Sequence, residues 1–233
     1  MTGAYKKMIR GGSAAAQGAE RSAKKRTNRR TEKSIPCESD EKKKSGGLSA
    51  FLIRAVTAPP FVVLASFSLI FGLSDLFSGT ANYLLLMSFI GFLPLLAYPL
   101  SYFVPQLRKK GRDGQRTLAL ILSVVGYLLG ALLAFLFPST GFEKVLASTY
   151  LFSGVLIALT SAVHFKSSGH AAGVAGPAFL LTWFMGWPFA LSFLLLAAVF
   201  WSSLRLKRHT LPQLIVGSLI PITGVVLFWF LFM

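Results

Sequence analysis

The chain has 233 residues, of which 54% are hydrophobic, and it carries a formal net charge of +16 at pH 7. This combination is typical of a membrane protein with one basic aqueous face and disfavours a soluble globular domain. Nucleic-acid binding, which a pI near 10.4 would otherwise suggest, is disfavoured because a basic tail and one membrane face account for the positive charge.

Residues 1–47 form a basic tail without apolar periodicity. They hold 13 of the 24 Lys and Arg residues, and we expect them to be disordered because they cannot bury enough apolar surface to offset chain entropy. Such a tail either attracts anionic lipid or serves as a topology signal. A secretory signal peptide is not expected, because residues near Met1 include no apolar segment of the required length. The tail could still be an organellar transit peptide. Cys37 is the only cysteine, so we expect no disulfide, cysteine-based metal site or cysteine catalysis.

Residues 48–233 are predicted to form an all-α polytopic membrane bundle of six to seven transmembrane helices. About 20 helical residues cross a hydrocarbon core, and five uncharged runs are of this length. The run between His170 and Arg205 is too long for one span, and Gly186 and Pro188 near its middle divide it into two shorter ones. The seven predicted spans are residues 55–73, 83–104, 117–137, 145–163, 171–185, 188–204 and 211–233.

The breaks between the spans differ in charge. If each run crosses once, the breaks at 105–116, 164–170 and 205–210 share one side with the tail, and this side holds 23 of the 24 Lys and Arg residues. Only Lys144 lies on the other side. Because positive residues concentrate on the cytoplasmic side of membrane proteins, we expect the tail and the three basic breaks to be cytoplasmic.

The first basic break has a composition that suits phosphate. It combines five cations with two glycines that permit close backbone approach, and Arg and Lys are the usual partners of phosphate oxygens. A loop whose charge merely sets topology is the simpler explanation. The stretch reads Arg108-Lys109-Lys110-Gly111-Arg112-Asp113-Gly114-Gln115-Arg116.

The second break ends in Ser168-Gly169-His170 at a predicted helix N-terminus. Backbone N–H groups and the helix dipole favour an anion at such a position. His170 has an ordinary pKa of about 6.5, which suits proton donation to a leaving oxygen at neutral pH. A turn with a helix cap is the alternative interpretation of the tripeptide.

The third break places His209 four residues before Gln213, at the start of the last predicted helix. Residues four apart share a helix face, so the side-chain oxygen of Gln213 is positioned to accept a hydrogen bond from one ring nitrogen of His209. The other nitrogen would then be available to attack phosphorus, which makes His209 the predicted nucleophile.

In this order the three breaks resemble the membrane-bound type 2 phosphatidic acid phosphatase superfamily, the lipid phosphate phosphatases. Its members carry Lys, six residues and Arg-Pro; then Pro-Ser-Gly-His; then Ser-Arg, five residues, His, three residues and Asp. The resemblance runs over most of residues 50–225. The matching positions are Lys109, Arg116, Ser168, Gly169, His170, Ser202 and His209.

The chain departs from the family pattern at four positions. Thr117 and Ser167 replace the two prolines, Ser203 stands where the third motif has arginine, and Gln213 stands where it has aspartate. Gln213 keeps the capacity to orient a ring but lacks the negative charge. Arg205, two residues beyond Ser203, is the expected substitute for the arginine.

The resemblance implies a phosphatase that cleaves a phosphomonoester or diphosphate of a lipid, isoprenoid or glycerolipid, through a phosphohistidine. His209 would be the nucleophile, His170 the proton donor and Gln213 the residue that orients the nucleophile. The implied phosphate-binding residues are Lys109, Arg116, Ser168, Gly169 and Arg205. We expect neither metal nor cofactor, because a cationic cradle replaces a metal and no acidic cluster in the sequence suits Mg²⁺.

Two other classes of function stay open. A catalytically inactive relative that binds lipid phosphates or serves as a scaffold is suggested by Ser203 and Gln213. A transporter or channel is disfavoured because the predicted spans contain no acidic residue. The pattern indicates no particular lipid and no particular oligomeric state.

Overall fold

The computed structural model describes residues 48–105 and 111–233, without the side chains of residues 112 and 113. The basic tail and Lys109 lie outside this part of the chain, so the predictions made for them stay predictions. All regular secondary structure in the described residues is helical, as expected. Residues 49–233 form one compact unit.

The described helices follow one another with short connections. A π-helical turn, Ser88–Phe92, lies within α3, and a 3₁₀ segment, Trp187–Ser192, precedes α8. The helices are α1 (Leu48–Val56), α2 (Pro59–Leu73), α3 (Thr80–Leu95), α4 (Ala97–Phe103), α5 (Gly111–Leu136), α6 (Gly141–Ala162), α7 (Gly169–Met185), α8 (Phe193–Arg205) and α9 (Leu211–Phe232).

The described part of the chain is compatible with an integral membrane protein. Four segments, 114–136, 141–162, 187–205 and 211–232, are long and apolar enough to cross a membrane, and the number is six if α1 with α2 and α3 with α4 each form one span. Helix α7 has 17 residues, fewer than the roughly 20 that a span requires. The structure therefore gives four to six candidate spans, and the predicted count of six to seven stays a prediction.

Two predicted spans are bent rather than continuous. The run 55–73 contains the junction of α1 and α2, which meet at 44°, and the run 83–104 contains the junction of α3 and α4, which meet at 41°. Pro59 and Pro60 open α2. Proline fits the first turn of a helix but cannot donate the backbone hydrogen bond that would continue the preceding helix.

The first basic break is shorter than predicted. We expected residues 105–116 to lie between spans, but α5 begins at Gly111, so Arg116 lies inside a helix. Gly111 has a left-handed φ of 54°, which a glycine adopts without strain. The following Arg and Gln residues are good helix formers, so the helix extends beyond its apolar run.

The predicted division of the long run after His170 is confirmed. Helix α7 ends at Met185, and Gly186 follows with a φ of 100°. Pro188 then lies in the first turn of the 3₁₀ segment. The sequence signal that located this break was the glycine and proline pair.

Helix α9 packs against both α6 and α7 at the centre of the bundle, with α5 against α6 and α2 against α7. Their buried side chains include Phe67, Phe142, Leu146 and Leu180. Many large apolar side chains face outward, as on a bundle surrounded by lipid. They include Phe61, Phe103, Leu136, Trp187, Leu194 and Phe230.

A buried carboxylate stabilises the end of the bundle where α6 begins. Glu143 is fully buried, and its oxygens accept hydrogen bonds from the backbone N–H of Thr140 at 2.8 Å and from that of Ser78 at 3.0 Å. The hydroxyl of Ser78 also donates to Glu143 at 2.9 Å. Because Thr140 caps α6 in return, these contacts fix the α2–α3 connection against the start of α6.

Candidate functional site

A cavity of about 800 Å³ lies between α2, α5, α6 and α7 and reaches the segment 206–209. Its walls bring together residues that are far apart in the sequence. Of the residues predicted for the site, four line it: Arg116, Gly169, His170 and His209. The cavity therefore joins parts of all three sequence motifs.

His209 is held by the start of α9. Its Nδ1 atom lies 3.3 Å from Oε1 of Gln213, as the four-residue spacing predicted. The same oxygen accepts the backbone N–H of Thr210 at 3.1 Å as part of a capping box, which fixes the orientation of the amide. Because an amide oxygen only accepts, Nδ1 carries the proton, and in a neutral ring Nε2 keeps its lone pair.

His170 is the second residue of α7 and contacts Thr57, beyond the end of α1. Its Nε2 atom lies 3.3 Å from the hydroxyl oxygen of Thr57, which donates its own proton to the carbonyl of Ile53 at 2.7 Å. A hydroxyl has one proton, so Thr57 accepts from Nε2 of His170. Thr57 thus sets both the orientation and the tautomer of this ring.

The start of α7 is bound to α9 through the main chain. Ser168 caps α7, accepting the N–H of Ala171 at 3.3 Å, and its own N–H donates to the carbonyl of Gln213 at 3.0 Å. Gly217 packs against Ser168 so closely that a Cβ there would lie 2.6 Å from the Ser168 carbonyl oxygen. Gln213 is therefore bonded both to the ring of His209 and to the segment that carries His170.

The cavity wall is rich in cations. Arg116 of α5 and Arg54 of α1 both line it, and the segment before α9 adds Lys207 and Arg208. Arg205, the expected substitute for the third-motif arginine, is exposed at the end of α8 and is not among the residues that line the cavity. The structure thus brings Arg54, rather than Arg205, to the two histidines.

Burial and these cations favour the neutral form of both rings. The pKa of His170 falls to about 3, chiefly through burial and then through the charges of Arg54, His209 and Arg208. Burial also lowers the pKa of His209, and the charges of Arg116 and Arg54 add to the effect. Hydrogen bonds of the ring to Gln213 and to the backbone of Lys166 oppose it. An anion in the cavity would offset the cations and raise both pKa values.

The cavity becomes less basic away from the histidines. Val63, Ile90 and Pro221 contribute apolar wall, and Thr149 and Tyr150 of α6 line the same space. The hydroxyls of Thr149 and Tyr150 are buried and have no hydrogen-bond partner among the described residues. The space therefore combines a cationic end with a wall of mixed apolar and hydroxyl-bearing side chains.

Two residues of this site were missed by the sequence interpretation, which used Arg54 only in the charge count and did not consider Thr57. Arg54 had one available signal, since it is the last charged residue before a long apolar stretch. Thr57 had none, because its role depends on the bend between α1 and α2 that brings it beside His170.

Comparisons of the chain with protein-family models, with curated proteins and with solved structures find no match.

Proposed function

We propose that the chain is a membrane phosphatase that hydrolyses a phosphomonoester or diphosphate of a lipid through a phosphohistidine intermediate. The observation that carries this proposal is the orientation of His209 by Gln213 in a cavity that also contains His170 and Arg116. A nucleophile, a second histidine and a cationic wall are the groups that metal-independent phosphoryl transfer requires.

In the first step Nε2 of His209 attacks phosphorus. The P–N bond forms as the P–O bond to the leaving group breaks. The leaving oxygen, which belongs to the lipid alcohol of a phosphomonoester or to the remaining lipid phosphate of a diphosphate, takes a proton from His170. Arg116 and the N–H groups at the start of α7 stabilise the charge on the phosphoryl oxygens. A phosphate dianion in the cavity raises the pKa of His170 and so favours the protonated ring that this step uses.

In the second step water attacks the phosphohistidine. The new P–O bond forms as the P–N bond breaks, and the proton released by water passes to His170, which returns to its protonated form. Inorganic phosphate leaves, and His209 is again a neutral ring held by Gln213. No metal or cofactor takes part in this scheme.

A lipid substrate suits the shape of the cavity. The phosphate lies at the cationic end, and the apolar wall formed by Val63, Ile90 and Pro221 receives the beginning of the hydrocarbon chain. Either an isoprenyl diphosphate or a glycerolipid phosphate fits this description. The basic tail, which lies outside the described residues, would add attraction to anionic membrane lipid.

The proposal includes a multi-pass topology of seven crossings with the site on the cytoplasmic side. It rests on the concentration of Lys and Arg in the tail and the three basic breaks. In this scheme the short helix α7 crosses with the others, and the Glu143 cluster lies at the opposite membrane face.

The test is phosphate release by the purified protein in detergent from isoprenyl diphosphates, phosphatidic acid and phosphatidylglycerophosphate. The proposal expects hydrolysis of at least one of them by the wild type and its loss in His209→Ala and in His170→Ala. Equal hydrolysis by the wild type and His209→Ala would contradict it.

A second candidate function is a catalytically inactive protein that binds lipid phosphates or acts as a scaffold. It is favoured by the lowered pKa of His170, since a neutral ring cannot donate the proton that the first step needs. It is also favoured by Gln213, which gives His209 no negatively charged partner. Binding of the same lipids without release of phosphate by the folded wild type would support this candidate.

A further inference from the structure

Ser203 occupies the position at which the third motif of the resembled family has arginine. It lies in the last turn of α8, six residues before His209, and is fully buried. Its backbone carbonyl accepts the N–H of Arg208 at 3.0 Å, so the chain leading to His209 folds back onto this residue. A serine side chain at this point carries no charge to offer an anion.

The side chain of Arg54, which belongs to α1, extends to Ser203 in α8. Its Nη1 atom donates a hydrogen bond to Oγ of Ser203 at 2.6 Å, although 149 residues separate the two in sequence. The side chain is half-buried and lines the cavity. The guanidinium group therefore lies next to the point from which an arginine at position 203 would extend.

Arg54 is also electrostatically coupled to both histidines. Its charge is the largest cause, after burial, of the lowered pKa of His170, and it contributes to the lowered pKa of His209. Such coupling requires proximity to both rings. A guanidinium that shares the cavity wall with both histidines is placed to contact a phosphoryl group bound there.

The bond to Ser203 holds the guanidinium of Arg54 at this point of the cavity wall. A guanidinium held in this way is suited to the paired oxygens of a phosphoryl group. The serine is compatible with this role because it is neutral, whereas a second arginine at position 203 would place two cations side by side.

We propose that Arg54 is a phosphate-binding residue of this site and that Ser203 is the residue that positions it. In this arrangement the arginine that the third motif lacks is supplied by α1. Arg54 binds the phosphoryl oxygens and stabilises their charge as the P–O bond to the lipid breaks. The proposal rests on the proposed phosphatase function.

The test uses the full-length protein in detergent and exchanges the two side chains. Arg54→Ala is expected to lower kcat/KM for the lipid phosphate that the wild type hydrolyses by roughly 10²-fold, and Arg54→Lys by less. The double variant Arg54→Ala with Ser203→Arg is expected to recover at least about tenfold over Arg54→Ala, because it restores a guanidinium from the other side. Lys144→Ala, which removes a cation that does not line the cavity, is the matched control and should match the wild type.

Vanadate affinity, measured by its effect on thermal unfolding, provides a second reading that does not require turnover. Arg54→Gln, which keeps a donor for Ser203 but lacks the charge, should weaken vanadate binding by about tenfold or more. Retained vanadate affinity in folded Arg54→Gln, or an Arg54→Ala variant as active as Lys144→Ala, would overturn the proposal. If the wild type hydrolyses none of the lipids but binds vanadate through Arg54, the phosphatase function fails while the assignment of Arg54 as a phosphate-binding residue stands.

Discussion

The ring of His209 and the amide of Gln213 are linked by a contact of 3.3 Å between Nδ1 and Oε1, and this oxygen also accepts the backbone N–H of Thr210. Because two donors share one acceptor, the amide cannot rotate without losing both. The result is a histidine on the cavity wall whose ring orientation is set by the start of α9.

Gln213→Glu is expected to shift the pH dependence of hydrolysis. The isosteric carboxylate keeps both contacts and adds a negative charge, which raises the pKa of His209 from its lowered value in the wild type. Attack requires the unprotonated ring, so the acidic limb of the kcat/KM profile should move to higher pH by about one unit.

The measurement is kcat/KM as a function of pH for both proteins on the same lipid phosphate. Gln213→Leu, which removes the acceptor, should lower kcat/KM across the profile. An acidic limb that stays in place in Gln213→Glu would show that His209 is not the group that titrates.

Thr57→Val is expected to lower kcat by about tenfold. Valine has the shape of threonine but lacks the hydroxyl that accepts from Nε2 of His170, so the ring loses its orienting partner. Thr57→Ser keeps the hydroxyl and is the matched control. If both variants turn over at the wild-type rate, Thr57 does not position the proton donor.

Gly217→Ala is expected to reduce both stability and activity. Its new methyl group would lie 2.6 Å from the carbonyl oxygen of Ser168, so α7 would have to move away from α9 and carry His170 with it. Gly72→Ala in α2 meets no atom within 4 Å and should be neutral or stabilising by up to about 1 kcal/mol. Thermal unfolding and phosphate release of the two variants test the difference, and equal effects would contradict the close packing.

Two buried residues of α6, one in its first turn and one near its middle, give a contrast in stability. Glu143→Ala should destabilise the protein by about 3 kcal/mol, because it leaves the buried N–H groups of Thr140 and Ser78 without their acceptor. Tyr150→Phe should change stability by less than about 1 kcal/mol, because its hydroxyl makes no hydrogen bond with a described residue. Chemical denaturation of both variants checks this, and a larger loss in Tyr150→Phe would be contrary to expectation.

The proposed sidedness can be measured with single cysteines in a Cys37→Ser background. Arg205→Cys and Asp75→Cys introduce thiols at exposed positions, one at each end of the bundle. We expect a membrane-impermeant maleimide to label Asp75→Cys in intact cells and Arg205→Cys only after permeabilisation. The reverse pattern would place the site outside.

The sequence was sufficient to predict those features that depend on neighbours along the chain. The turn at Gly186, the cap at Ser168 and the contact between His209 and Gln213 are all local, and each is present. The extension of α5 to Gly111 was missed, because helix-forming polar residues at an aqueous helix end lack the apolar pattern by which spans are predicted.

The partners supplied by α1 could not be predicted in the same way. The bond from Arg54 to Ser203 and the contact of Thr57 with His170 span 149 and 113 residues. Both depend on the 44° bend between α1 and α2 and on the packing of α2 against α7. Sequence spacing within a motif holds no information about such contacts, which is why Arg205 was the expected substitute for the missing arginine.

Trapping of the covalent intermediate tests the central claim most directly. The purified protein is mixed briefly with a lipid phosphate labelled in the phosphoryl group, denatured in base to preserve phosphohistidine, and digested for mass spectrometry. The account predicts label on His209, and no label in His209→Ala. Release of phosphate with label on another residue, or with no covalent label at any time, would contradict it.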